Sequence, residues 1–400
     1  MKRLVEELAP GLLGCALMLA VLGYATWLET SSPELYYQAV QEDEYLEWAT
    51  FWAFLLAAVA SVVAGLRQRR GTGQLPWFLF GVGLFSFVVA MEEISWAQRV
   101  FGYRPPAYFL EHNFQQEFNV HNVMDTSLRK LAFRTVIIVY GIALPLVGFV
   151  PPLRRLLGRL AIVPPSVLLV PGFAASLWAY VEYPWQFSGE IVELAVGLGF
   201  LFPAVVAARE LGAAPARPRI AAQALAVALA GALTLGLGVG NAAVSRTQRS
   251  ASPEALEQTR QELEALRNDF FARAERRGNR LPVRCGIHKR IYTYVEQYRQ
   301  RFLTRGEYAS LTEQGLPEQR AEFFLDPWNY AYWIRSKCSK DREKRRDFIY
   351  SFGPNRLRDS SEWEIVDDDV GLYMLMRDPG DEDGEEPDEE PSDTEADPTV

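Results

Sequence analysis

From about residue 9 to residue 244 the chain is a succession of apolar runs, most of them close to 20 residues long, and this limits the fold more than any other feature. A helix needs about 20 apolar residues to cross the hydrocarbon core of a bilayer. Seven such runs can be drawn, at residues 9–28, 46–66, 76–95, 133–151, 160–181, 190–208 and 220–244. They predict an α-helical polytopic membrane bundle of about seven spans over residues 1–245, with the lipid bilayer as a partner. The first run is too long for a signal-peptide core. Thr26-Trp27-Leu28 follows it where a cleavage site would carry small residues, so it reads as a retained span.

Lysine and arginine in short loops orient such a bundle. Lys2 and Arg3 precede the first run. Arg67, Arg69 and Arg70 follow the second, Arg154, Arg155 and Arg159 the fourth, and Arg209, Arg217 and Arg219 the sixth. All four groups fall on one side, predicted to be the cytoplasm. An odd number of spans then places everything after residue 245 outside it. The longer segment at 96–132 breaks the pattern with Arg99, Arg104, Arg129 and Lys130. The net charge of −9 comes largely from the last two dozen residues, so it does not bear on nucleic-acid binding, and no nucleic-acid partner is expected.

This topology gathers carboxylates at the outer rim: Glu44, Glu47, Glu92, Glu93, Glu182, Glu190 and Glu193. Met91 to Asn122 adds two of the three histidines, His112 and His121, with Glu117 between them. Ionisable groups at a bilayer edge are functional suspects, because each costs roughly 2.5–3.5 kcal/mol at mid-membrane. If 108–124 is helical, Asn113, Glu117 and His121 share a face at i, i+4, i+8, and Glu92, Ser95 and Arg99 share one at the end of the third run. The functional reading is an outward hydrolytic or zinc site, with Glu92 or Glu93, His112, Glu117 and His121 as ligands or bases and Arg99 stabilising an anion. The structural reading is that the carboxylates pair with Arg99 and Arg104 while the histidines anchor an interfacial helix. Tryptophans 27, 48, 77, 96 and 185 lie at predicted span ends and read as interfacial anchors.

The Glu92-Glu93-Ile94-Ser95-Trp96 start and the closing His121-Asn122 resemble a segment of uncharacterised bacterial multi-pass membrane proteins, over roughly the second to fourth spans. The resemblance implies a shared architecture and no activity. A looser likeness is to membrane-embedded ceramidase-like hydrolases, whose paired histidines on a late span this chain lacks.

Beyond the bundle, Ser252-Pro253-Glu254 reads as an N-cap, a first-turn proline and a first-turn acid. Leu256, Leu263, Leu266, Phe270 and Ala274 mark one apolar face of the helix that follows, which Gly278 ends. Strand-like runs appear at 331–334, 348–351 and 372–376. Asp326-Pro327-Trp328-Asn329-Tyr330-Ala331-Tyr332, then Ser351-Phe352-Gly353-Pro354-Asn355, then Asp367-Asp368-Asp369-Val370 resemble, in this order, the C-terminal domain of the major pseudopilin of type II secretion systems. The resemblance covers about 250–376. It implies a small α+β extracytoplasmic domain at 246–376, a long helix on an antiparallel sheet. It also implies a calcium ion held by Asn355, Asp367, Asp368 and Asp369, against which stands a solvated acidic turn. Asn355-Arg356 stands where the family has Asp-Gly, and no leader motif occurs near 210–225, so processing into a pilus is not expected.

Cys15 reads as a small buried hydrophobe. Cys285 and Cys338 can form a disulfide if the domain faces an oxidising compartment. Residues 377–400 are almost devoid of apolar side chains and read as a disordered acidic tail. Two functions lead: an inner-membrane protein whose outer domain engages an envelope or secretion partner, or an intramembrane metal-dependent hydrolase of lipid or lipid-linked substrates at the outer leaflet. A transporter is disfavoured because most spans carry no deep charges and no clear inverted repeat appears.

Overall fold

The apolar runs fold as helices in a computed structural model that describes residues 2–41, 43–101, 103–113, 117–185, 187–211, 220–248, 252–275, 283–297, 320, 323–354 and 358–379. The chain divides into two compact units, Met1–Ser250 and Ala251–Val400.

The first unit comprises α1 (Lys2–Ser31), α2 (Pro33–Ala39), α3 (Tyr45–Thr72), α4 (Trp77–Glu93), α5 (Gln98–Phe101), α6 (Ala107–His112) and α7 (Thr126–Val136). A π-helical stretch, Ile137–Ala143, joins α7 to α8 (Leu144–Phe149). Then come α9 (Pro151–Arg159), α10 (Val170–Glu182), α11 (Ser188–Glu210) and α12 (Ile220–Gln248). Among the described residues five helical stretches are long and apolar enough to cross a membrane: Ala9–Ser31, Tyr45–Thr72, Thr126–Phe149, Ser188–Glu210 and Ala221–Arg246. The runs expected at 76–95 and 160–181 fold as shorter helices, α4 with 17 residues and α10 with 13, the latter entered through the 3-10 turn Val167–Leu169.

Helix α11 sits at the centre, packed on α3, α1, α10 and α12. Small residues let the backbones approach, as expected where close packing, and not a hydrophobic drive, joins helices in lipid. A side chain at Gly197 would meet Ala53 and Phe54, one at Gly199 the ring of Phe173, and one at Gly238 the backbone of Tyr45 and Ala49. The π-helical stretch has a local cause. Pro145 has no amide to give the carbonyl of Gly141, so the α-helical ladder cannot run through it. Gly141 and Gly199 admit Phe173 between them, and Tyr140 stacks on Phe200 at 3.9 Å.

Polar contacts tie the helix ends. At one end the Tyr24 and Tyr45 hydroxyls lie 2.8 Å apart, Arg246 Nε donates to Glu44 at 3.0 Å, and the Trp52 indole donates to Asn241 at 3.3 Å. At the other, the Trp77 indole donates to the Leu160 carbonyl at 2.8 Å and Gln223 to Glu210 at 2.7 Å. Trp27 and Trp77 are exposed, as interfacial anchors should be, whereas Trp48 and Trp185 are buried in the core. Position near a span end does not decide which way an indole turns.

The second unit begins with α13 (Pro253–Glu275), where the Ser252 hydroxyl accepts the Ala255 amide at 3.0 Å, as the cap motif predicts. It continues with β1 (His288–Arg290), α14 (Ile291–Gln297), β2 (Trp333–Cys338), β3 (Arg345–Ser351) and β4 (Val370–Arg377). The strands form an antiparallel sheet in the order β1-β2-β3-β4. Helix α13 packs on β3 and β4, with Leu263, Leu266 and Phe270 fully buried. A second apolar cluster gathers Tyr330, Trp333, Phe348, Tyr350 and Phe352. Cys285 and Cys338 are joined in a disulfide, while Cys15 is free and buried. The acidic segment expected to begin at 377 still contributes Arg377 to β4, and Asp378 pairs with Arg346 at 2.6 Å. The rest of it, from residue 380, lies outside the described residues.

Candidate functional site

Three consecutive residues in the left-handed region, Ser95 (φ 49°), Trp96 (φ 54°) and Ala97 (φ 66°), turn the chain sharply after α4. Left-handed backbone costs a residue with a Cβ roughly 1–2 kcal/mol, so this corner needs support. The Trp96 indole donates to Glu92 Oε1 at 2.7 Å, and the Tyr103 hydroxyl donates to the Trp96 carbonyl at 3.1 Å. The Ala97 amide returns to the Ile94 carbonyl at 2.8 Å.

The corner aims the end of α4 at the loop 117–121. Glu92 Oε2 accepts the Val120 amide at 2.6 Å and the His121 amide at 3.0 Å, and lies 3.3 Å from His121 Nδ1. Beneath it Glu117, buried, takes the Ser95 hydroxyl at 2.5 Å and the Asn119 amide group at 3.1 Å. Asn113, also buried, donates to the Glu117 carbonyl at 2.7 Å and to Asn119 at 2.9 Å. Gln98 accepts the Phe118 amide at 2.6 Å, and Phe118 meets Phe109 edge-on at 4.8 Å.

Glu92, Glu117 and His121 thus come together, though not along a helix. Helix α6 ends at His112, and Asn113 is extended, so the expected helical face over 108–124 does not form. Buried side chains take up the loop amides instead. The expected face Glu92-Ser95-Arg99 fails for a related reason: α4 stops at Glu93 and the corner reverses hand. Glu93 is half-buried at the end of α4. Arg99 belongs to α5, with its side chain outside the described set. His112 stands exposed, stacked on Tyr108 at 4.3 Å with Nδ1 at 2.9 Å from the Tyr108 carbonyl, so it anchors α6.

The arrangement allows one kind of chemistry. A carboxylate facing Nδ1 favours the proton there and leaves Nε2 of His121 as an acceptor or base, on a side chain 41% exposed. Glu92 orients it. The positive residues that broke the charge pattern also find roles. Arg129 donates to Asn122 at 3.1 Å and lies within electrostatic reach of Glu193 and Tyr180, while Arg134 stands over the Tyr180 ring.

Among the described residues no three His, Cys, Asp or Glu groups converge as metal ligands. For zinc at the rim, His121 offers a single imidazole. For calcium, Asn355 lies outside the described residues, and Asp367 (φ 53°) and Asp368 are exposed. Asp369 is buried. One of its oxygens accepts the Ser360 amide at 2.7 Å and the other has no hydrogen-bond partner. Burial pushes its carboxyl up to about 6, against the opposing bonds from Ser360. The described residues alone do not compose either metal site.

Sequence reasoning passed over Gln98, Tyr103 and Asn119. Their only signal is that they are polar residues in an aromatic-rich segment. No family model, no curated protein and no solved structure matches the chain.

Proposed function

We propose that this is a bacterial inner-membrane protein that presents its second unit outside the cytoplasm as a pseudopilin-like module for interaction or assembly with an envelope or secretion partner. The observation that carries the reading is the Cys285–Cys338 disulfide, since disulfides persist in oxidising compartments, the side on which the loop arginines lead us to expect this unit. In this reading α4 and α10 complete seven crossings, α4 being at the lower limit of about 17 residues for a span. The order of long helix then antiparallel sheet supports the pseudopilin likeness. Calcium belongs to the same proposal: the unshared oxygen of Asp369 would be one hard ligand, completed by Asn355, Asp367 and Asp368. The ion would fasten the loop before β4.

An alkaline phosphatase reporter fused after Arg249 is expected to be active, and a reporter active only in the cytoplasm overturns the reading. Metal analysis of the purified protein is expected to find calcium that Asp369→Asn loses. A photoreactive residue at Lys340 is expected to give a discrete protein adduct in cells, retained in His121→Ala. Loss of that adduct in His121→Ala would favour the second reading.

That second reading is a hydrolase acting on a lipid or lipid-linked substrate at the outer leaflet, and the Glu92–His121 pair favours it. Glu92 would hold the imidazole so that Nε2 takes a proton from the attacking group. Stoichiometric zinc lost in a His112→Ala, His121→Ala double variant would support the metal-dependent form of it.

A further inference from the structure

At the bundle end opposite the Glu92–His121 site, a cleft of about 180 Å³ opens between the start of α1, the end of α8, α9 and the end of α11. Its walls are mainly apolar, including Gly148, Phe149, Pro164 and Val206, and Arg154 stands among its lining with Glu210 and Gln223. Gly148 fixes the wall's shape, because a Cβ there would come within 2.6 Å of the Pro164 ring.

Helix α9 borders this cleft and is sharply two-sided. At about 100° per residue, Leu153, Leu156, Leu157 and Leu160 fall in one arc, and Arg154, Arg155 and Arg159 fall on the other side. Only Leu157 is buried; Leu153, Leu156 and Leu160 remain exposed. From Pro151 to Val163 the chain carries three arginines and no acid. Among the described residues Arg155 and Arg159 have no acidic partner. A short helix with bare leucines on one side and arginines on the other suits a membrane interface, leucines in the acyl layer and guanidinium groups among headgroups.

We infer that α9 is a binding site for an anionic glycerophospholipid. Arg155 and Arg159 hold the headgroup phosphate through paired N–H donors, and the acyl chains lie along the exposed Leu153, Leu156 and Leu160. Of the three arginines only Arg154 lines the cleft, which takes no part. Guanidinium suits this task because its planar fork matches two phosphate oxygens. Charge complementarity selects the occupant: a zwitterionic lipid brings its own cation to compete, whereas a phosphodiester with a neutral headgroup does not. The site is independent of the second unit and of the Glu92–His121 pair.

The test uses the full chain in nanodiscs containing phosphatidylcholine and phosphatidylglycerol, with retained lipid identified by native mass spectrometry. The wild type is expected to retain phosphatidylglycerol preferentially. Each arginine should contribute roughly five-fold to that preference, so Arg155→Gln/Arg159→Gln should reduce it roughly thirty-fold. Raising the salt concentration should weaken the wild-type preference, a measurement that does not depend on a variant folding. Val206→Trp, which fills the cleft, should leave the preference unchanged. Equal retention of the two lipids by the wild type, or an unchanged ratio in a folded double variant, overturns the inference.

Discussion

The loop over 94–121 and the helix–sheet seam of the second unit bury charge in opposite ways. In the loop, Glu92 and Glu117 are met by an indole, a hydroxyl, a carboxamide, backbone amides and the His121 ring. At that seam, charge meets charge. Glu262 on α13 takes Arg320 at 2.8 Å and the Tyr332 hydroxyl at 2.6 Å, and Asp347 takes Arg345 at 2.8 Å. A carboxylate held by neutral donors keeps its negative charge and can still act on a neighbour such as His121. One neutralised by guanidinium fixes geometry and little else. The difference separates a place where chemistry can occur from one built to hold a shape.

The largest effect expected on this contrast is at Glu262. Glu262→Ala leaves Arg320 buried without its acid and should cost about 3–5 kcal/mol. Urea denaturation of the purified protein, followed by near-ultraviolet circular dichroism, measures it, and a cost under about 1 kcal/mol would erase the contrast. Next comes the disulfide. It spans 53 residues, so Cys285→Ser with Cys338→Ser should remove about 4 kcal/mol or less from the second unit and leave the bundle's melting unchanged.

A smaller effect is expected in the loop. Glu92→Gln keeps the shape but presents an amide donor to donors already there, costing about 1–3 kcal/mol. Hydrogen exchange should rise at Val120 and His121 and not in the sheet. Faster exchange throughout would mean the loop and the bundle open together.

The smallest effect is a cancellation in pH. Burial, with Arg335 and Arg358 nearby, lowers His288 to about 4, so the unfolded chain binds its proton first. That contribution is lost as pH falls from about 6.5 toward about 4. Asp369, raised to about 6, binds its proton more readily when folded. Its contribution is present below about 4 and lost as pH rises through about 6. The two slopes oppose each other in nearly the same window, so the wild-type second unit should show little net dependence there from this pair. Asp369→Asn should uncover stability that rises with pH, and His288→Gln stability that falls with it. Identical profiles in all three proteins would remove both groups from the ledger.

Much of the fold was legible because its causes are local. Apolar run length marked the five long helices, and Ser252-Pro253 marked the start of α13 within a residue. Strands β2 to β4 overlap the runs of branched and aromatic residues. Strand β1 was not legible, since His288-Lys289-Arg290 has no apolar alternation and exists only by pairing with β2. The site was half legible. The residue types in 91–122 pointed to Glu92, Glu117 and His121, but a helical face could not have joined them. What does join them is a corner that no glycine announces, closed by contacts between positions more than 20 residues apart. Arg129 looked like an exception to the charge rule because its acidic neighbour, Glu193, lies 64 positions downstream.

The corner at Ser95-Trp96-Ala97 has an evolutionary corollary. Each residue there sits in a conformation of the unfavoured hand, so random replacement should be tolerated very unevenly. A saturation library scored for folded protein should enrich glycine and asparagine at position 97 and reject valine, isoleucine and threonine. At position 96 tryptophan should outlast them all, since its indole also secures Glu92. That asymmetry would mark the bend as something selection maintains.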